Sequence, residues 1–505
     1  MKPAPPSVLI ITTDQQRTDS LGCYGSRFVH TPHLDRLAHE GVVFDRAYCA
    51  NPVCTPSRAT IFSGQSVSRH GAWNVGLNVP DDVPLLSHRL GPAGYRTHYV
   101  GKAHFQSFGA TPEQSAETLH GWERRYPQWT GPYYGFETVE LALGHTAWGL
   151  AGHYGAWIRS QVPAAELARL NAITRRAGQS FGGEAYDWNL PLRLHNSVWT
   201  AERTIAFLEG HDAGRPFLLG VGFEDPHHPH CVPLELGERV DPAAVPLPDF
   251  TEGELDDKPP HFLEARCGQL ETSSVRGAFA VAGQGGGADY RQVTGPDARL
   301  GRAYYYTMIQ LIDRQVGRIL DCLDRRGLAE NTLVVFTTDH GELLGDHGLW
   351  MKGPFHYEPL VRVPLIVRWP AGFRGERRIP ALISHTDIAP TALAAAGQEP
   401  PADVDGTDAL PLLRGETDRI RDAALIECID DPRHLRLKTL VTDTRKLTWY
   451  AGRRDGELYD LEDDPREKRN RWDDPRYAAD KATLLGRLLD MTEPRERRAP
   501  RDCYA

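Results

Sequence analysis

Val8-Leu9-Ile10-Ile11-Thr12-Thr13-Asp14-Gln15 and Thr332-Leu333-Val334-Val335-Phe336-Thr337-Thr338-Asp339-His340-Gly341-Glu342 carry one pattern, more than three hundred residues apart. In each, a short apolar run stops at polar, metal-competent side chains. Such runs read as buried strands with functional groups at their carboxyl ends. A parallel sheet brings strand ends together from distant parts of a chain, and in open α/β sheets ligands collect at those ends.

Working outward, strands and helices alternate. Apolar spacing predicts a helix over 31–41, a strand over Val42–Tyr48 and a helix over 56–63. Strands are expected over 96–100 and 216–223, the second following a helix over 195–209. A long helix covers 300–322, a strand 363–367, and a helix over 386–396 ends at Gly397. This alternation favours an α/β sandwich. The span 105–194 is rich in loops and aromatics, and its tryptophans Trp122, Trp129 and Trp148 divide between core and substrate rim. The glycine-rich run Gly283-Gln284-Gly285-Gly286-Gly287 lacks the Lys-Ser/Thr ending of a phosphate loop and reads as a surface insertion. A shift in composition near 420 divides the chain into a catalytic unit, 1–419, and a smaller α+β unit, 420–505. In the second unit, alternating runs at 438–442, 447–450 and 457–461 suit an antiparallel sheet and 484–491 a closing helix.

Composition excludes several classes. The 505 residues are 40% hydrophobic and 25% charged, enough for a large core and too ordered for a disordered or fibrous chain. A net charge of -10 with scattered Lys and Arg offers no basic surface for nucleic acid. No apolar run is long enough to span a membrane, and the N-terminal run reads as the first strand rather than a secretion signal, so a cytoplasmic location is expected. The eight cysteines are thinly spread and read as free thiols.

The chemistry concentrates in a few places. Asp14, Asp339 and His340 follow apolar strands, Gln15 adds a carbonyl oxygen, and carboxylates with an imidazole suit a divalent cation. Cys54-Thr55-Pro56-Ser57-Arg58 opens a helix whose N-terminus, with Arg58, favours an anion. No local pattern supplies the imidazole a thiol protease needs, so these residues alone leave Cys54 unassigned. Lys102 and His104 follow one strand, and Glu224-Asp225-Pro226-His227-His228-Pro229 follows another.

The pentapeptide at Cys54 resembles the formylglycine signature of the type I sulfatases of the alkaline phosphatase superfamily. Asp14, Lys102, His104, Asp339, His340 and Lys352 occur in that family's order, and the likeness covers most of the chain. The resemblance implies an alkaline-phosphatase-like sandwich with a large, mainly parallel sheet and a small C-terminal antiparallel sheet packed with a helix. It implies a sulfuric ester hydrolase whose nucleophile is the hydrate of formylglycine made from Cys54 by a maturation enzyme. Asp14, Gln15, residue 54, Asp339 and His340 would hold one divalent cation, Ca2+ with Mn2+ as the alternative. Arg58 would neutralise the nucleophile end, Lys102 bind sulfate, and His104 take the proton when the sulfated intermediate collapses. His227 and Lys352 would meet the leaving-group oxygen. The implied substrate is a small sulfate ester, aryl, alkyl or sugar, and no segment specifies the interface of a homo-oligomer.

Gln15 and His340 stand where many sulfatases have Asp and Asn. The Asp-Gln and Asp-His versions also occur in choline sulfatases and in phosphonate monoester hydrolases, which makes phosphonate monoester or phosphodiester hydrolysis the competing activity. Lys102 and His104 favour sulfate, because the phosphonate branch departs from that pair. Asn74 is a further candidate from that branch. Glu224, Asp225, His228, His230 and His356 read as supporting or rim residues, and a catalytically silent binding protein is disfavoured by the retained set.

Overall fold

The computed structural model describes residues 4–126, 128–176, 185–270, 289–431 and 435–496. The glycine run 283–287 and the end of the arginine-rich tail lie outside the described residues.

The two opening motifs are adjacent central strands. Strands of the main sheet are β1 (Ser7–Thr13), β2 (Val42–Tyr48), β3 (Arg96–Gly101), β4 (Thr138–His145), β5 (Trp148–Ala151), β6 (Phe217–Gly222), β7 (Thr332–Thr338), β8 (Arg362–Val363), β9 (Leu365–Arg368) and β10 (Arg377–Ser384). Their order is β8-β2-β9-β7-β1-β6-β3-β4-β5, with β10 also paired to β2. The pairs β1–β7, β1–β6, β3–β6, β3–β4 and β2–β10 are parallel, whereas β8 and β9 on β2, β9 on β7 and β5 on β4 are antiparallel. Thr13 lies opposite Thr338, so Asp14 and Asp339 leave the sheet side by side.

Strand period two builds two cores. Val8 and Ile10 of β1 with Leu333 and Val335 of β7 point to one face, and Leu9, Ile11, Val334 and Phe336 to the other. Helices α2 (Cys54–Ser63) and α5 (Ile388–Ala395) cover the first face. Helices α1 (Pro32–Glu40), α3 (Asn196–Glu209) and α4 (Gly295–Arg325) cover the second. Each fully buried aliphatic contributes about 1.5–3 kcal/mol over exposure. Thr294 caps α4 by accepting the Asp297 N–H.

The structure differs from the sequence reading in several places. The expected strand 363–367 is broken into β8 and β9 around Pro364, which has no N–H for a ladder. β4 and β10 carry mixed charged and apolar residues and gave no clear periodicity. The C-terminal sheet has four strands, β11 (Ala424–Asp431), β12 (Leu435–Val441), β13 (Arg445–Tyr450) and β14 (Gly456–Asp460), in antiparallel order, and the first of them was not anticipated. The helix α6 (Ala478–Thr492) covers this sheet, packing Leu484 and Leu488 on Leu425, Leu440, Leu447 and Leu458.

The C-terminal sheet is fastened to the region just ahead of α2. The Glu427 N–H donates to the Ala50 carbonyl at 2.9 Å, and the Asn51 amide donates to the Glu427 carbonyl at 2.6 Å. Buried Lys446 adds ion pairs to Glu467 at 2.7 Å and Glu358 at 3.0 Å.

Candidate active site

Three strand ends and one helix start converge. Asp14 and Gln15 follow β1, Asp339 and His340 follow β7, Lys102 follows β3, and Cys54 is the first residue of α2. Gly64 ends α2 at φ 72°, which suits its lack of a Cβ. Asp14, Cys54, Asp339 and His340 are buried, with their ligand atoms all within 4.8 Å of one another. Cys54 Sγ lies 3.6 Å from Asp14 Oδ1, 3.4 Å from His340 Nε2 and 2.9 Å from Lys352 Nζ.

Each ligand candidate is oriented by its other side. Asp339 Oδ1 accepts the backbone N–H groups of Gln15 and His340, both at 2.9 Å. His340 Nδ1 is 2.9 Å from the Gly341 carbonyl and must donate to it, which leaves Nε2 with a lone pair facing the cluster. The Gln15 amide nitrogen donates to Glu342, and its Oε1 is buried without a hydrogen-bond partner. An orphaned carbonyl oxygen beside two carboxylates and an imidazole lone pair fits a divalent cation.

Arg58 bridges the two carboxylates, with Nε at 3.0 Å from Asp339 Oδ2 and Nη2 at 3.2 Å from Asp14 Oδ2. It is fully buried and also donates to the Lys102 carbonyl at 2.8 Å, so it braces the carboxylates from behind. Lys102 Nζ lies 2.5 Å from Asp14 Oδ2. Burial works against the charge on Asp14, but Lys102, Arg58 and Lys352 outweigh it and hold the carboxyl well below its usual range. Burial and then Asp14 push the Cys54 thiol up to about 11 despite Lys352. As a cysteine, residue 54 is therefore a protonated, poor nucleophile at neutral pH.

A group of neutral imidazoles completes the site. Burial is the first cause that drives His104, His145, His227 and His228 well below the usual histidine range, with Lys102 or Lys352 adding to it. His227 Nε2 is 2.9 Å from Lys352 Nζ, and its Nδ1 is 2.6 Å from the His228 carbonyl. His104 has φ 54°, stacks on Phe108 at 4.1 Å and keeps Nδ1 buried without a partner. His145, not anticipated from sequence, ends β4 with Nδ1 2.8 Å from Lys102 Nζ and its ring stacked on His227 at 3.9 Å. Its signal was a strand ending in a histidine beside β3, hidden because β4 was not recognised.

Other candidates fall outside this cluster. The Asn74 amide donates to the Ile429 carbonyl at 3.0 Å, binding it to β11. His356 bonds Thr439 at 2.6 Å in the C-terminal sheet. His230 packs its ring on Tyr305 at 5.3 Å. Glu224 accepts from Asn196 at 2.5 Å and Thr146 at 3.2 Å, and Asp225 accepts from Ser197, so both support the loop that carries His227. Burial raises Glu224 to about 8 and Asp225 to about 7. Trp122 is buried and donates to Ala116, which removes it from any rim, while Trp148 meets His228 edge-on at 6.2 Å.

The family comparison matches this geometry. The sulfatase family profile matches residues 6–398, and that of the N-sulphoglucosamine sulphohydrolase C-terminal region matches residues 345–494. The chain belongs to the sulfatase family. Among relatives of this sulfatase, the uncharacterized sulfatase YidJ of Escherichia coli is 29% identical over 97% of this chain and 87% of its own length. The choline-sulfatase of Rhizobium meliloti is 27% identical over 95% of this chain and 85% of its own. The crystal structure of the phosphonate monoester hydrolase of Agrobacterium radiobacter superposes with a TM-score of 0.77 at 27% identity, covering 97% of this chain and 96% of that one. The protein is thus a hydrolase of the formylglycine-dependent sulfatase type with a candidate metal cluster at Asp14, Cys54, Asp339 and His340. Among the described residues, no helix is long and apolar enough to cross a membrane.

Proposed function

We propose that this sulfatase hydrolyses a small sulfate monoester, with Cys54 oxidised to formylglycine by a separate maturation enzyme. The observation that carries the reading is the convergence on residue 54 of two ammonium groups and a carboxylate–imidazole cluster, around a thiol too basic to attack as it stands. Asp14, Asp339, His340, the Gln15 carbonyl and an oxygen on residue 54 would hold one divalent cation. A mainly oxygen donor set favours Ca2+, and the imidazole admits Mn2+. Such an ion supplies positive charge that favours ionisation of a bound hydroxyl.

The chain's own residues supply the rest. Lys102 and Lys352 hold the anionic oxygens of the ester over residue 54. Lys352, whose ammonium lies 2.9 Å from His227 Nε2, gives a proton to the departing alcohol oxygen as the S–O bond breaks, and the Nε2 lone pair of His227 orients that ammonium. His104 takes the proton of the remaining hydroxyl on residue 54, the carbonyl re-forms, and sulfate leaves with the bonding pair. Neutral imidazoles at His104 and His227 suit proton exchange without adding fixed charge.

The second reading, phosphonate monoester or phosphodiester hydrolysis, draws on the 0.77 superposition and on the Gln15 and His340 variants. Lys102 and His104 weigh toward sulfate. Peptide mass spectrometry of residue 54, elemental analysis of the metal, and parallel turnover of aryl sulfate and phenylphosphonate monoester on one sample decide between them. Formylglycine with sulfate turnover dominant is expected. Phosphonate turnover in excess would transfer the protein to the second reading, and unmodified cysteine in an active sample would overturn both.

A further inference from the structure

The loop after β3 is held by a carboxylate that the mechanism above does not use. Glu117 is fully buried, and its Oε2 accepts the His104 N–H at 2.7 Å. Its Oε1 accepts the N–H groups of Phe105 at 2.7 Å and Gln106 at 3.1 Å, and also the Tyr133 hydroxyl. No ion pair engages this carboxylate among the described residues. Three successive backbone N–H groups that converge on one anion form a nest, a shape the chain reaches through a left-handed residue. Here that residue is His104 itself, at φ 54°, a conformation most side chains avoid.

Reciprocal contacts tie the two segments together. The Gln106 amide oxygen accepts the Ala116 N–H at 2.6 Å, and the Phe105 carbonyl accepts the Val79 N–H at 2.7 Å. Phe105 then packs edge-on against Phe62 of α2 and Tyr99 of β3, so the loop is anchored to the helix that begins at Cys54. The imidazole of His104 makes no such bond of its own. Its ring lies on Phe108, and Nδ1 is buried and unpartnered. Backbone strain and a free ring nitrogen in one residue point to function rather than to packing.

We propose that Glu117 is the positioning residue of His104: its carboxylate holds the left-handed turn that sets the imidazole against Phe108 and beside His145 for its proposed role at residue 54. This rests on the reading of His104 as the group that takes the hydroxyl proton when the sulfated residue 54 releases sulfate. In that step the O–H proton passes to His104, the C–O bond to sulfate breaks with its pair on sulfate, and the C=O forms. Glu117 touches neither substrate nor the reacting atoms. Its loss therefore slows the second half of the cycle and spares the first, in which the sulfuryl group is transferred to residue 54.

The test compares Glu117→Gln, Tyr133→Phe and His104→Ala with the parent enzyme on an aryl sulfate, by steady-state kinetics, rapid-quench intact mass and thermal melting. Glu117→Gln is expected to lower kcat roughly 10–100-fold and KM in parallel, leaving kcat/KM within about threefold, because kcat/KM reports the first irreversible step. A protein species heavier by one SO3 accumulates. Tyr133→Phe, which removes only one bond to Glu117, moves the same way by a smaller factor. If His104→Ala accumulates the adduct and Glu117→Gln does not, the positioning role is overturned while the reading of His104 stands. If neither accumulates it, both fall. A fall of kcat and kcat/KM together, tracking a lower melting temperature without adduct, would show that Glu117 serves the fold alone.

Discussion

The two halves of the active site are built differently. On one side Asp14, Gln15, Asp339 and His340 sit one or two residues beyond paired strands, their charges braced by fully buried Arg58. On the other, His104, His145 and His227 stand on loops or a strand end, neutral, held by stacking and by the buried carboxyls of Glu117 and Glu224, which form no ion pair among the described residues. The strand side concentrates charge and needs a rigid frame, because misplacing one carboxylate leaves another unpaired in a dry interior. In the proposed mechanism the loop side exchanges protons and needs aim more than charge. Stability and catalysis should therefore be coupled on the first side and separable on the second.

The largest effect lies where the halves meet. Cys54→Ala removes the proposed nucleophile and should lower sulfate turnover by at least about 10⁴-fold. The buried thiol makes no ion pair with a carboxylate, so the midpoint of urea unfolding should move little. A turnover within tenfold of the parent would break the comparison at its centre. Next, Arg58→Met leaves Asp14 and Asp339 facing each other without their brace. Removing one partner of such a buried network costs about 3–5 kcal/mol, read from urea unfolding after chelation, and activity should fall with it. The matching change on the loop side is His145→Phe, which keeps the stack on His227 and removes the acceptor for Lys102. Activity should fall roughly tenfold or more with unfolding free energy within about 1 kcal/mol of the parent. An equal loss of stability in both variants would erase the distinction.

Acid should strike both halves alike. Burial drives His195, beneath the His227 loop, and His385, beneath Asp339, down to about 3. Between that value and the ordinary histidine range the unfolded chain binds protons that the folded chain refuses. Their contribution to stability is therefore intact near pH 7 and lost as pH falls below about 6.5, by about 1.4 kcal/mol per pH unit for each group. Urea unfolding between pH 7 and pH 5 measures the slope, and His385→Gln should reduce it by one proton. The buried carboxyls raised to about 8 at Glu224 and about 7 at Asp225 act in the opposite sense, so the test is the difference between variant and parent, and equal slopes would mean that His385 protonates in place. The smallest effect belongs to Asn74→Ala, which deletes a bond to β11 worth about 1 kcal/mol. Its turnover should stay within about twofold, and a larger loss would return Asn74 to the active site.

The same contrast explains how much was legible in the sequence. The strand side was readable because apolar runs that end in Asp-Gln and Asp-His announce both the strands and their cargo. The helix at Cys54, the long helix before β7 and the Lys-any-His pair were also legible, since each carries its signal within a few residues. His145 and Glu117 were not. β4 mixes charged and apolar residues between two covered neighbours, so no period marked its end. Glu117 works through backbone N–H groups, which leave no trace in side-chain composition. Pro364, whose lack of an N–H splits the strand between β2 and β7, was visible as a residue but not as a break. The fourth strand of the C-terminal sheet was missed because β11 holds acidic residues, among them Glu427, that pair with Ser68 and Lys438.

The central position of β1 also sets a timetable. Its partners β6 and β7 begin at Phe217 and Thr332, so the first strand made waits for neighbours made hundreds of residues later. At a synthesis rate of roughly 5–20 residues per second, the Val8–Ile11 run waits about 16–65 s for its final neighbour. Until β6 and then β7 are made, this strongly apolar strand keeps an unpaired edge, which favours association with other chains. Cys54, which ends 1% exposed, remains in reach for the same interval. Under the proposed function, the opportunity to oxidise it is set by the distance along the chain between two strands that finish as neighbours.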